Sequence, residues 1–328
     1  MNLETKEYGT IIDLAREWTR RYAAGHESVD KARRNDINWL CEWLIRRDLV
    51  LLDANEFSDS LLRRMMADRL SSAKPATVRR WFATIRVFSA HLKERHPYWT
   101  NPCRMVKAPS STLPRPEWHS HAEESLLRSA MVGAGAFARM RNRLILELGL
   151  SLGLRRREIP ALRVRQVDLN AAVLREVRGK GRKFVTIALP RDLVEMLSIY
   201  LPLRCAELAK EGYDDSPSLP LFLAFKGRVG SSADDLTIST ETIYRIARDI
   251  GDAVGVADAR PHRWRHTAIR RCWEATKDII VTREFARHAN IEQTSRYCMA
   301  DEDEVVSAVE KMRLLRKAKG ETNNGNET

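Results

Sequence analysis

Between Pro97 and Pro116 the chain carries five prolines (Pro97, Pro102, Pro109, Pro114 and Pro116) together with Ser110, Ser111 and Thr112. Proline neither continues a helix nor donates to a sheet ladder, so this stretch divides the N-terminal third from the remainder of the chain. Before it, apolar residues keep a helical period: Ile11, Leu14, Trp18 and Tyr22, then Ile37, Leu40 and Leu44, then Val78, Trp81, Ile85, Phe88 and Leu92. A small helical bundle is expected there. After it, Glu123 to Met131 and Arg139 to Leu152 read as helices, and the period changes between Ala172 and Leu189. There Val173, Arg175 and Val177, then Phe184, Thr186 and Ala188, flank Gly179-Lys180-Gly181-Arg182, the pattern of two short strands joined by a glycine turn. Helices resume at Leu193 to Ala209, Thr240 to Val254, Pro261 to Ala275, Thr282 to His288 and Glu292 to Tyr297. The expected fold is mainly α with a small β-sheet.

A length of 328 residues predicts about two domains, each with a real core. Lys and Arg outnumber Asp and Glu by 56 to 44, a net +12 that attracts polyanions, nucleic acid before membrane surface. The five cysteines (Cys41, Cys103, Cys205, Cys272 and Cys298) stand far apart, with no Cys-x-x-Cys pair and no histidine at metal spacing. Neither a zinc site nor a disulfide framework is suggested, and no metal or cofactor is expected. The start, Met1-Asn2-Leu3-Glu4, lacks a basic segment followed by an apolar run, and no stretch reaches the roughly 18 apolar residues of a membrane span. A cytoplasmic location without membrane contact is the expectation.

Four separated places carry groups capable of chemistry. Gly153-Leu154-Arg155-Arg156-Arg157-Glu158 sets an arginine just after a helix-ending glycine, with an acid one turn later. Cations at a helix start are disfavoured by the dipole, so an anion there would compensate. Gly179-Lys180-Gly181-Arg182-Lys183 leaves a lysine free to enter a cleft, where it can donate a proton. In Pro261-His262-Arg263-Trp264-Arg265-His266-Thr267, proline opens a helix from which His262 and Arg265 project on one face, while Trp264, Ile269 and Trp273 supply the buried side. His288 and Tyr297 bracket the last segment. Each place alone is ordinary: a solvated basic helix end, a solubilising turn lysine, a surface pair, a half-buried tyrosine.

Together they supply what phosphodiester transfer without a metal requires. A scissile phosphodiester gains negative charge as a nucleophile adds, so two bidentate guanidiniums form a natural clamp. A phenol, with an ordinary pKa of about 10, leaves phosphorus readily and can hold a DNA end as a reversible phosphotyrosine. In this order and spacing the boxes resemble the tyrosine recombinases, or phage integrases, over roughly Ile11 to Arg316. Gly153-Leu154-Arg155 with Glu158 is similar to the family's first arginine box, and Gly179-Lys180-Gly181 to its hairpin lysine. His262-x-x-Arg265-His266-Thr267 is similar to the second box, with Thr294 also matching between His288 and Tyr297. Three positions depart from the pattern: Leu152 where Thr or Ser is frequent, Gln166 where an acid is frequent, and Arg287 in place of the glycine before His288. Arg287 is expected either to alter the local turn or to add a DNA contact.

The resemblance implies that Arg155 and Arg265 grip the scissile phosphate and Lys180 protonates the 5′ leaving oxygen. It further implies that His262 assists proton transfer, as a base for the phenol, that His288 bonds a non-bridging oxygen, that Tyr297 is the nucleophile, and that Glu158 buttresses Arg155 or His262. It implies a helical core-binding (SAM-like) domain over 1–107, a linker over 108–118, an α+β catalytic domain over 119–300, a C-terminal helix over 301–318 and a disordered tail over 319–328. Charge is distributed accordingly, +6 over residues 1–110, +8 over 111–300 and −2 beyond. Arg79, Arg80, Arg86 and Lys93 beside the Val78–Leu92 stripe, with Arg182 in the hairpin, are candidate DNA contacts.

The implied partners are a double-stranded recombination site, a homo-tetramer on two such sites (monomer or dimer off DNA), and accessory DNA-bending or directionality proteins, in a nucleoid of bacterial or phage origin. The C-terminal stripe Val305, Val306, Val309, Met312 and Leu315 docks either on a neighbouring protomer or on its own domain. Two rivals share these residues: a type IB topoisomerase-like relaxing enzyme and a catalytically silent DNA-binding regulator of the same fold. A metal-dependent nuclease is disfavoured because no paired carboxylates offer a metal site.

Overall fold

The computed structural model describes residues 9–22, 27–96, 99–110, 116–179, 184–224 and 236–298, with 306 and 309–314. The chain divides into two compact units, Met1–Pro114 and Arg115–Thr328, and the division falls inside the expected linker.

Unit 1 is helical: α1 Ile11–Tyr22, α2 Glu27–Ile45, α3 Asp59–Ser72 and α4 Pro75–Arg95. The periodic residues read from the sequence form its core, with Ile11, Trp18, Ile37, Leu40, Leu44, Val78, Trp81, Ile85, Phe88 and Leu92 all buried. Proline at the first turn starts α4, and Ser58 caps α3 by accepting from the Leu61 amide.

Unit 2 contains α5 His121–Ser129, α6 Gly135–Leu150, β1 Val167–Asp168, β2 Val173–Arg178, β3 Phe184–Ala188, α7 Arg191–Lys210, α8 Thr240–Val254, α9 Pro261–Thr276, α10 Ile279–Ala286 and α11 Ile291–Ser295. Helices α5, α6, α7, α10 and α11 start earlier than their apolar pattern predicts, and at two of them the cap shows why. Ser120 and Glu123 form a capping box at α5, and Asp278 accepts from the Ile280 and Val281 amides at α10. Helix α10 also stops short of His288: Arg287 closes it in the left-handed region, with φ 55 and ψ 45.

The sheet has a third strand that the pattern did not reveal. Its order is β1-β2-β3, antiparallel throughout, with Val167 opposite Leu174, Leu174 opposite Ile187 and Val177 opposite Val185. A bulge between Leu174 and Val177 gives Glu176 a φ of 50. Gln166 donates from Nε2 to the Arg175 carbonyl at 3.1 Å and the Glu176 carbonyl at 2.7 Å. An ionised carboxylate in that place has no proton to donate, which accounts for the amide where the family often has an acid.

The unit's core joins α6 (Leu144, Ile145, Leu148), α7 (Leu193, Leu197, Tyr200), α8 (Ile243, Ile246, Ile250) and α9 (Trp264). Helices α6 and α9 approach closely at Gly149, where an added Cβ would stand 2.9 Å from the Trp264 ring. This contact fixes α9 against the helix whose end leads into Gly153-Leu154-Arg155. Residues 306 and 309–314 are helical with Val306, Val309, Met312 and Leu314 exposed. The remainder of the expected C-terminal helix, and the tail over 319–328, lie outside the described residues. No helix among the described residues is long and apolar enough to cross a membrane.

Candidate active site

The segment after α6 turns back at Gly153, whose φ of 59 favours glycine. Arg155 then opens a run of turns rather than a helix. Glu158 fixes it twice, accepting from the Arg155 amide at 2.8 Å and from its Nη1 at 2.6 Å. Of the two residues that Glu158 is expected to buttress, it is Arg155 that it contacts here. The Arg155 Nη2 donates to the Arg287 carbonyl at 3.0 Å.

Arg265 points from α9 toward the same turn and is only 3% exposed. Its guanidinium donates to the Gly153 and Ala286 carbonyls. The Arg287 side chain is only 12% exposed. It folds inward, donating to the Gly153 carbonyl at 2.9 Å and the Phe285 carbonyl at 3.2 Å, and meeting Glu158 Oε2 at 3.4 Å. Three guanidiniums thus stand around a single carboxylate. Burial, then the Arg155 and Arg287 charges, lowers Arg265 from its ordinary value to about 9.

Tyr297 is buried, and its hydroxyl shares a hydrogen bond with Nδ1 of His266, one turn beyond His262 on α9. The resemblance implies the base role for His262, whereas the imidazole on the phenol is that of His266. The adjacent histidine in the box was the available signal, because positions four apart share a helix face and spacing alone does not rank them. The two imidazoles sit edge to face with centroids 4.4 Å apart. His288 lies 6.1 Å from the Tyr297 ring, its Nδ1 2.9 Å from the Thr294 hydroxyl.

Burial pushes the phenol up to about 12, against the pull of Arg265 and Arg296. Burial likewise pulls His266 down to about 3, with His262 and Arg265 adding to it, and His288 down to about 4, with Arg265 and Arg155 adding to it. His262 is lowered mainly by burial and then by Arg265 and Arg155. At neutral pH the site therefore holds neutral imidazoles and a neutral phenol beside cationic arginines.

The main chain of Tyr297 is tied to the segment preceding α5. Arg270 of α9 donates to the Tyr297 carbonyl at 2.8 Å, and its guanidinium lies 4.9 Å from the centroid of Trp118. The His119 amide donates to Thr267 Oγ1 at 2.8 Å, and Arg271 donates to the His119 carbonyl at 2.8 Å. Lys180 and Arg182 lie outside the described residues. In unit 1, Arg79 and Arg86 are exposed, whereas Arg80 pairs with buried Asp36 at 2.7 Å and Lys93 donates to the Trp99 carbonyl at 2.6 Å.

Residues 121–304, more than half of the chain, match the family model described as the phage integrase family. A tyrosine recombinase XerC of Herpetosiphon aurantiacus is 24% identical over 276 residues, covering 84% of this chain and 85% of its own length. A XerC of Ralstonia pickettii is 29% identical over 271 residues, covering 76% and 77%. Among solved structures, the XerH site-specific recombinase bound to a palindromic difH substrate in a post-cleavage complex is similar at TM-score 0.71 and 14% identity, over 91% of this chain and 84% of that one. A lambda integrase dimer bound to a COC' core site gives 0.62 at 16% identity, over 88% and 77%. At these identities the structural likeness is one of fold. The family match spans every box from Arg155 to Tyr297, and the chain belongs to the phage integrase family, the tyrosine recombinases.

Proposed function

We propose that this chain is a site-specific DNA recombinase that cuts and rejoins strands through a 3′-phosphotyrosyl link. The observation that carries the reading is the convergence of Arg155, Arg265, His288 and Tyr297 from separate chain segments on one place, with His266 bonded to the phenol. The Tyr297 oxygen attacks phosphorus and the 5′ oxygen leaves with a proton from Lys180. One phosphodiester replaces another, so the bond's free energy is kept for rejoining. Arg155 and Arg265 meet the charge that grows on the non-bridging oxygens, and His288 donates to one of them.

His266 takes the phenol's proton. In the free protein burial and neighbouring positive charge hold this imidazole at about 3, far too acidic to act as a base. An anionic phosphate between the arginines offsets that charge and raises the imidazole, so the base becomes competent when substrate is present. His262, edge-on to His266, shares the resulting charge.

Unit 1 serves as the core-binding domain, with Arg79 and Arg86 following the backbone, and Arg182 contacts DNA from the hairpin. Assembly as a tetramer on two DNA sites is supported by the lambda integrase tetramer bound to a Holliday junction, which has the same fold at TM-score 0.61. The enzyme acts on DNA in the nucleoid. The test is a nicked suicide substrate carrying the element's own end sequence. Wild type is expected to become covalently attached to DNA, whereas Tyr297→Phe binds equally and forms no adduct. Trapping that persists in Tyr297→Phe removes the nucleophile assignment.

A further inference from the structure

Arg287 occupies a left-handed backbone position, φ 55, that favours glycine over a residue with a side chain. Strain of this kind persists when surrounding interactions over-determine the conformation. Here they come from the side chain, which is 12% exposed and reaches across to the turn after α6. Its Nη2 donates to the Gly153 carbonyl at 2.9 Å and meets Glu158 Oε2 at 3.4 Å, while Nη1 donates to the Phe285 carbonyl at 3.2 Å. These first two acceptors are the ones that hold the phosphate arginines: Glu158 carries Arg155, and the Gly153 carbonyl carries Arg265. The main chain joins the same arrangement, with the Arg287 carbonyl receiving Arg155 and the Ala286 carbonyl receiving Arg265.

We infer that Arg287 is a positioning residue of the phosphate site, tying the end of α10 to the Gly153–Glu158 turn so that Arg155 and Arg265 present their guanidiniums together. The inference rests on the recombinase reading for its substrate but on the geometry for its mechanism. Arg287 also adds a third positive charge beside one carboxylate. The cluster therefore carries an excess of two charges, which matches a phosphate gaining its second negative charge better than a resting diester. Its contribution falls mainly on the transition state. A glycine here relaxes the backbone and loses both functions.

The full chain with Arg287→Gly, Arg287→Gln or Arg287→Lys separates these effects. Single-turnover cleavage by Arg287→Gly is expected to fall at least roughly tenfold, while DNA affinity, set by many backbone contacts, stays within about threefold. Arg287→Lys keeps the charge but cannot hold the Phe285 carbonyl with one nitrogen while a second meets Gly153 and Glu158, and lies between wild type and Arg287→Gln. Unchanged helix content by circular dichroism excludes misfolding. Wild-type cleavage in Arg287→Gly overturns the inference, and so does a parallel loss of rate and affinity, which would make Arg287 a DNA contact.

Calorimetric titration with orthophosphate reads the same cradle without cleavage. Arg287→Gly is expected to bind about tenfold more weakly than wild type. Equal orthophosphate binding by Arg287→Gly overturns the inference even if no DNA is cut. If wild type forms no covalent adduct while this binding difference holds, the recombinase reading fails and the positioning role stands.

Discussion

Asp36 in unit 1 and Glu158 in unit 2 are both buried beside arginines, and these two clusters end differently. In unit 1, Asp36 accepts from Arg80 at 2.7 Å and from Thr84 at 2.9 Å, and lies 3.6 Å from Arg69. The Arg69 guanidinium lies against two indoles, 4.3 Å from the centroid of Trp39 and 5.5 Å from that of Trp81. Indole faces attract a guanidinium and cover it from water. In unit 2, Arg155, Arg265 and Arg287 end on Glu158 and on main-chain carbonyls, with His288 and Tyr297 beside them in place of capping indoles. The first cluster is covered by indoles and sets two arginines on its carboxylate, whereas the second sets three beside its own and keeps the larger excess of positive charge, which an anion can complete. A buried arginine is therefore no signal of function in itself; what it ends on is.

Acid should separate the units most. In unit 2, burial holds His119 and His288 at about 4 and His266 at about 3, all below the ordinary 6.5. In unit 1 the described histidine with a resolved shift, His96, is lowered only to a lesser degree. The unfolded chain takes up protons at its ordinary histidine value, before the folded chain does. Stability is therefore full above pH 6.5 and falls as pH drops toward 4, by about 1.4 kcal/mol per pH unit for each such histidine. Between pH 6.5 and 4.5, hydrogen exchange in the full chain should accelerate in α9 well before α4. Parallel acceleration of both helices would contradict the contrast.

Removing each carboxylate's charge tests the other half of the comparison. Asp36→Asn leaves Arg69 buried without a counter-charge and is expected to cost about 3 kcal/mol in denaturant unfolding, mostly from Arg69 because water screens the half-exposed Arg80. Phosphate should not restore it. Glu158→Gln is expected to cost a similar amount in buffer alone, and millimolar orthophosphate should recover most of that loss because an anion can take the carboxylate's place. Equal recovery of both variants would mean that the second cluster is as closed as the first.

Much of this site was legible because its chemistry sets the order of residue types, and helical spacing sets faces. Pro261 fixed the start of α9, so His262 and Arg265 project as expected, and Tyr297 and His288 converge as the boxes imply. The residues that escaped depend on contacts between distant segments. His266 and His262 lie on the same face of α9, and only the placement of α11 shows which one meets the phenol. Arg287 reads as surface charge until the left-handed end of α10 turns it inward, and Gln166 has no visible task until β2 bulges. The earlier starts of α5 and α10 follow from Ser120 and Asp278, caps that an apolar pattern alone does not register.

The smallest expected effect compares one capping indole in each unit. Trp118 covers Arg270, which holds the Tyr297 carbonyl, whereas Trp39 covers Arg69, which holds only Asp36. A cation–π contact of this kind contributes about 0.5–1 kcal/mol, so losing it from a group that orients the nucleophile slows cleavage roughly two- to fivefold. Trp118→Leu should show that decrease in single-turnover rate with unchanged DNA affinity, and Arg270→Lys should reproduce it. Trp39→Leu should lower the unfolding midpoint and leave the rate alone, because its arginine touches nothing that reacts. If both substitutions change stability alone, Tyr297 is held in place without Arg270, and the link from the segment before α5 to the nucleophile is only packing.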